Sequence, residues 1–181
     1  MEMDILFLDV DGVLNPNKES YENIFAPNCV KQLRRILDHH PQAHVVFSTS
    51  WRTGFSFFTL GWLWRQHDLP RERVIGRTPD IEAESRGLEI FQWLVDAVRY
   101  RKEDKIRHYA VLDDEVEPIL EHIPGHSVFP CDPWHGLTEK IADDIVRHFA
   151  APTGSLQLGK LRHRRSRQVA KGVIGVGKES N

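Results

Sequence analysis

Along the chain, short unbroken apolar runs take turns with longer stretches whose apolar residues recur at helical spacing. Met3-Asp4-Ile5-Leu6-Phe7-Leu8 is nearly continuous and is closed by Asp9 and, soon after, Gly12. Such a run predicts a strand buried on both faces, as in a parallel sheet covered by helices on each side. Residues 27–40 place Val30, Leu33, Ile36 and Leu37 on one face and meet Pro41 just beyond, which predicts a helix. The run His44-Val45-Val46-Phe47 gives a second strand, ending in Ser48-Thr49-Ser50. A helix is expected over 55–67, although Gly61 weakens it. Its Trp62 and Trp64, with Phe55, Phe57 and Phe58, read as packing residues rather than a binding platform.

Arg73-Val74-Ile75-Gly76 predicts a third, short strand. Ser85 is placed to cap a helix with Leu88, Phe91, Leu94, Val95 and Val98 on its inner stripe. Tyr109-Ala110-Val111-Leu112 runs into Asp113-Asp114 and repeats the pattern of apolar strand followed by acid. Ser127-Val128-Phe129 is a fifth strand, and 138–149 a last helix with Ile141, Ile145 and Phe149 inward. Five strands alternating with helices predict a doubly wound α/β fold with a mostly parallel sheet. The expected strand order is 3-2-1-4-5, with functional groups beyond the carboxyl ends of the strands.

Composition changes this picture in one respect. Hydrophobic residues make up 40% of the 181 positions and charged residues 28%, so the bulk of the chain has the means to bury a core. The formal net charge of −2 argues against a generic basic nucleic-acid binder, but it conceals a division. Residues 151–181 hold seven basic residues and one acid, a charge of +6, leaving −8 on residues 1–150. Residues 1–150 are therefore expected to form the folded domain, and 151–181 a flexible basic tail rich in Gly and Arg. The tail run Arg162-His163-Arg164-Arg165-Ser166-Arg167 suits either a solubilising extension or salt-sensitive attraction to phosphates. Gly154 to Lys160 imitates a phosphate-binding loop, but Leu161 stands where Ser or Thr belongs and no buried strand precedes it. The early apolar run is too short to span a bilayer, no basic region precedes a long apolar one, and two cysteines make no disulfide framework. A soluble cytoplasmic protein is expected. Cys131 and His135 lack the second ligand pair a zinc site needs.

The candidate chemistry lies at the strand ends. Asp9 and Asp11 follow the first strand, Ser48 and Thr49 the second, and Asp113 and Asp114 the fourth. Four carboxylates converging on one crevice repel unless a cation joins them, and oxygen-only ligands suit Mg²⁺, which commonly partners phosphate. This predicts a phosphorylated substrate. Asp9 is the candidate nucleophile and metal ligand, Asp11 the general acid and base, and Ser48 a phosphoryl ligand, with Thr49 beside it. A fixed cation is expected to neutralise transition-state charge, and the candidates are Arg86 and Lys105. Arg86 is favoured because it opens a helix near the strand ends, whereas Lys105 precedes its strand. Trp51 and Arg52 leave two readings open: stacking on a base and gripping a second phosphate, or packing under the loop and pairing with an acid.

Leu8-Asp9-Val10-Asp11-Gly12-Val13-Leu14-Asn15 resembles the first motif of haloacid dehalogenase-like hydrolases, Mg²⁺-dependent phosphatases that work through an aspartyl-phosphate. Ser48 matches the second motif, Arg86 the basic third and Asp113-Asp114 the acidic fourth. The segments Ser48-Thr49-Ser50-Trp51-Arg52, Arg86-Gly87-Leu88-Glu89-Ile90, Leu112-Asp113-Asp114-Glu115 and Gly136-Leu137-Thr138 are similar to a narrower branch. That branch comprises the phosphatase-like domains of Swiss-army-knife RNA repair proteins. The resemblance covers roughly residues 3–149. It implies metal binding through Asp9, the Val10 carbonyl and an acid of the fourth motif, with Asp113 direct and Asp114 direct or through water. The spacings between motifs leave no room for a large cap, so an open cleft is expected, suited to a bulky substrate such as a phosphorylated nucleic-acid end. A phosphoprotein or small metabolite is the alternative substrate. A non-catalytic module that binds nucleic acid through its tail is the alternative function, and the oligomeric state is left open.

Overall fold

The computed structural model describes residues 2–16, 24–81, 85–100 and 105–152. The basic run, the loop-like Gly154–Lys160 and nearly all of the expected tail lie outside the described residues.

Five strands form one sheet: β1 (Glu2–Leu8), β2 (Ala43–Phe47), β3 (Val74–Arg77), β4 (Lys105–Asp113) and β5 (Val128–Pro130). Their order is β3-β2-β1-β4-β5 and every pairing is parallel, the order and sense expected from the sequence. β1 is the central strand because both of its faces are apolar. Leu6 and Leu8 point into a core shared with α1 (Pro27–His39), α3 (Phe57–Gln66) and α6 (Glu139–Ala150). Met3, Ile5 and Phe7 point the other way, toward α4 (Arg86–Tyr100) and α5 (Glu117–Leu120). Complete burial of such side chains contributes roughly 1.5–3 kcal/mol each, so one short strand anchors both layers.

Parallel pairing carries the strand ends to one edge. Leu8 is level with Phe47 on β2 and Leu112 on β4, so Asp9, Ser48 and Asp113 emerge side by side. Backbone bonds from Asp9 N–H to the Leu112 carbonyl (3.0 Å) and from Ser48 N–H to the Leu8 carbonyl (2.8 Å) extend the ladder to those residues.

Several expectations are corrected. The helix predicted over 55–67 is present as α3, which starts where the Ser56 hydroxyl accepts the Thr59 N–H, and a single turn, α2 (Trp51–Gly54), precedes it unpredicted. Trp64 is wholly buried and Phe57 packs against the core, but Phe55, Phe58 and Trp62 are exposed. The inner face of α4 is rotated from the predicted stripe. Gly87, Glu89, Ile90, Phe91, Leu94 and Ala97 are buried, while Val98 is exposed. The cause is a close approach to α5: a Cβ on Gly87 would lie 2.6 Å from the Pro118 carbonyl oxygen and 2.8 Å from that of Ile119. Ser85 does cap this helix loosely, its hydroxyl accepting the Leu88 N–H at 3.4 Å. The helix α5 has no counterpart among the predicted elements. Between β2 and β3, α2 and α3 lie on the core, and no separate cap is present among the described residues.

Candidate active site

Asp9 is buried directly beyond β1, where its own loop begins. One carboxylate oxygen accepts the Val10 N–H at 2.7 Å. The other, Oδ2, lies 2.6 Å from Nη1 of Arg86, and the same nitrogen is 2.6 Å from Oδ2 of Asp113. One guanidinium nitrogen thus bridges two buried carboxylates. Asp113 uses its second oxygen to accept the Glu115 N–H at 2.9 Å. Lys105, the rival cation, stands at the other end of β4, 3.5 Å from Glu2.

Burial and crowding govern the charges here. Burial raises the Asp9 carboxyl against the pull of Arg86. Asp113 is pushed up to about 7, first by burial and then by the Asp9 charge, despite the opposing guanidinium. Asp114 is also raised, mainly by burial. Arg86 is held firmly in its charged form by the two carboxylates, which outweigh its own burial. One cation facing this many acids leaves negative charge uncompensated.

Asp9, Asp113 and Asp114 each offer a carboxylate oxygen within 4.8 Å of the others, so they could hold a metal ion. Hard oxygen donors of this kind fit Mg²⁺, and a divalent ion would favour the ionised form of all three carboxyls against the burial that raises them. The Val10 carbonyl does not fit the ligand set that the resemblance implies. It accepts the N–H groups of Leu14 and Asn15, both at 2.8 Å, and of Val13 at 3.2 Å, so its lone pairs are spent inside the loop. That loop turns at Gly12, whose φ is +67°. A Cβ there would lie 2.3 Å from the Asp114 carboxylate, so glycine serves both the turn and the approach of Asp114.

The hydroxyls after β2 differ in their surroundings. Thr49 is buried, and its hydroxyl favours the charged form of the Asp9 carboxylate. Ser48 is also buried, and its Oγ has no hydrogen-bond partner among the described residues. A buried hydroxyl without a partner is costly unless a ligand supplies one. This fits a phosphoryl ligand at Ser48 rather than at Thr49.

The next two residues take the inward-facing reading. The Arg52 guanidinium is 8% exposed, bonds Glu89 at 2.5 Å and donates to the Thr49 carbonyl at 2.8 Å. It braces the loop rather than reaching into the cleft. Trp51 packs beside Phe25 and Phe55, and its indole N–H donates to Oδ2 of Asp11 at 2.7 Å. Asn15 donates to the other oxygen of Asp11 at 3.2 Å. Sequence reasoning missed Asn15 and Glu89. Asn15 lay in the first motif, and its distance of four residues from Asp11 was the available signal. Glu89 gave only its place beside Arg86 in a quoted segment, since its partner Arg52 is remote in sequence.

Comparison with known families decides the affiliation. The family described as the HAD domain in Swiss Army Knife RNA repair proteins matches residues 5–142, most of the chain. The chain belongs to that family. The match runs from within β1 into α6, so it takes in part or all of every strand and every candidate site residue. No curated protein and no solved structure gives a match. No helix among the described residues is long and apolar enough to cross a membrane.

Proposed function

We propose that this HAD domain is a Mg²⁺-dependent phosphomonoester hydrolase whose substrate is a phosphorylated nucleic-acid end. The observation that carries the reading is the cluster of Asp9, Asp113 and Asp114 around one bridging guanidinium, with Asp11 beside it and an unpartnered Ser48 hydroxyl below. Asp9, Asp113 and Asp114 would hold the ion, which supplies positive charge to the phosphoryl oxygens and lowers the repulsion between phosphate and carboxylates.

The chain's own groups account for the remaining work. Asp9 attacks phosphorus through a carboxylate oxygen, forming an aspartyl-phosphate as the bond to the ester oxygen breaks. Asp11 gives its proton to that departing oxygen, then takes one from the water that cleaves the acyl-phosphate, so inorganic phosphate leaves and both carboxylates are restored. Ser48 donates its hydroxyl to a phosphoryl oxygen. Arg86 offers its remaining N–H groups to the charge that builds in the transition state. Thr49 keeps the Asp9 carboxylate aimed, and Arg52, through Glu89, keeps Thr49 in place.

The nucleic-acid substrate is supported by the family's occurrence in RNA repair proteins and by the lack of a cap among the described residues, which leaves room for a polymer. The basic charge on residues 151–181 would concentrate such a polymer near an acidic cleft. A panel of 3′- and 5′-phosphorylated oligonucleotides, phosphopeptides and sugar phosphates, each with Mg²⁺, tests the assignment. Turnover of the oligonucleotides above the others is expected. Efficient turnover of sugar phosphates or phosphopeptides alone contradicts it. Truncation after Pro152 tests the tail, which is dispensable if oligonucleotide turnover at low salt is unchanged.

A further inference from the structure

Asp11 sits on the loop after β1, yet its orientation is fixed from a different loop. Trp51, at the start of α2, donates its indole N–H to Oδ2 at 2.7 Å. The indole is itself held, its centroid 5.4 Å from the Phe55 ring and 6.4 Å from that of the wholly buried Phe25. Its backbone N–H donates to the Thr49 hydroxyl at 3.3 Å, and that hydroxyl steadies the charge of Asp9. One residue therefore ties together both carboxylates of the Asp9-Val10-Asp11 segment: Asp11 through its side chain, and Asp9 through its backbone and Thr49.

Donor chemistry gives this contact a direction. An indole N–H only donates, so Oδ2 of Asp11 must accept in either protonation state. A carboxylic O–H oxygen accepts more weakly than the carbonyl oxygen, so this bond favours the proton that Asp11 gives and takes on Oδ1. There the partner is the Asn15 side-chain amide, 3.2 Å away, which donates or accepts according to which end it presents. A freely rotating carboxyl would offer either oxygen, and misplacement of a proton donor by a fraction of an ångström is costly for proton transfer.

We propose that Trp51 is a positioning residue that holds Asp11 with Oδ2 as a fixed acceptor, so that Oδ1 carries the proton to the departing ester oxygen. This rests on the hydrolase reading above and assigns within it a role to a residue that touches no phosphate.

The discriminating variant is Trp51→Phe, which keeps an aromatic ring beside Phe25 and Phe55 and removes the N–H together with part of the indole's bulk. A phosphorylated oligonucleotide, whose alkoxide leaving group needs a proton, is expected to lose kcat/KM by roughly 10–100-fold, within the range of general acid catalysis. For para-nitrophenyl phosphate, whose nitrophenolate departs unaided, kcat/KM is expected to change by no more than about 3-fold, because it reports only the steps up to that departure and not the later water attack that also uses Asp11. Equal losses of kcat/KM on both substrates overturn the proposal. A second readout requires no turnover. In the ¹H–¹⁵N spectrum the Trp51 indole resonance, assigned by its loss in Trp51→Phe, is expected to move upfield in Asp11→Ala. Should that resonance stay in place while the wild type turns over, the role of Trp51 falls and the hydrolase stands. If the wild type hydrolyses no phosphate ester, the hydrolase reading falls and takes this role with it, whatever the indole does.

Discussion

Asp4 and Asp9 stand at opposite ends of the same strand, both buried, both facing an arginine, and yet their surroundings differ in kind. Arg107 meets Asp4 through two nitrogens, Nε to Oδ1 at 3.1 Å and Nη2 to Oδ2 at 2.6 Å, and His108 Nδ1 adds a contact at 3.1 Å. Every acceptor of that carboxylate has a partner, and the arginine is held in its charged form by it. At the other end one nitrogen of Arg86 serves two carboxylates, a third acid stands near, and the Ser48 hydroxyl is left over. A buried charge that is fully paired contributes structure. A cluster of buried charges with too few partners is stable only if something else completes it. The carboxylate at the amino edge of the sheet is fully paired, though His108 Nε2 beside it has no partner among the described residues, and the carboxyl edge is open.

The largest effect should separate the two ends by activity. Asp9→Asn is expected to lower turnover of para-nitrophenyl phosphate by about 10³-fold or more, since the nucleophile is gone. Asp4→Asn should leave kcat within about 2-fold, as expected for a site that makes no contact with the reacting atoms. In stability the ranking inverts. Loss of the Asp4 charge strands Arg107 and should cost about 2–3 kcal/mol in a urea titration, below the cost of breaking a fully buried pair because Arg107 is partly exposed. A comparable loss in Asp9→Asn would erase the distinction between the ends.

Metal binding should respond only at the carboxyl edge. Mg²⁺ at a hundred times its dissociation constant stabilises by about 2.7 kcal/mol through mass action, visible as a raised Tm. Asp113→Asn should abolish this rise and Asp4→Asn should retain it. Gly12→Ala is the milder test: a left-handed φ costs a side chain about 1–2 kcal/mol, and the new Cβ would displace Asp114, so Mg²⁺ affinity should fall along with Tm. The smallest effect concerns pH at the amino edge. Burial holds His40 and His148 below the usual histidine value. The unfolded chain therefore takes up these protons first, and stability present above about pH 6.5 is lost as the pH falls through that value toward the lower folded ones. The raised Asp113 carboxyl works in the opposite sense over the same range, so the histidine effect is read as a difference: below pH 7, Tm should fall less, or rise more, in His148→Gln than in the wild type, and an identical profile would remove histidine as the cause.

The sheet was legible because each of its strands is a short apolar run with punctuation at its end: Asp9, Ser48, Gly76, Asp113 and Pro130 all mark where chain leaves the core. Parallel pairing then did the rest, bringing Asp9, Ser48 and Asp113 level without further information. What escaped depends on partners far along the chain. The rotation of α4 follows from Gly87 touching α5 and from Glu89 being drawn inward by Arg52, and neither contact leaves a periodic trace. Phe58 and Trp62 share the apolar character of Trp64 but not its face, so composition alone could not separate them. The Val10 carbonyl was assigned by resemblance, and only the turn geometry reveals that its lone pairs are taken. For Trp51, the second half of the Asp11 site, sequence left base stacking and loop packing both open, and neither reading paired its indole with the acid.

One measurement bears most directly on the carboxyl edge as an open, metal-completed site: phosphate release from para-nitrophenyl phosphate by the wild type and by Asp9→Asn, each with Mg²⁺ and with the ion chelated. The account predicts release by the wild type with Mg²⁺ alone. Equal rates in the two proteins, or no release by either, would contradict it.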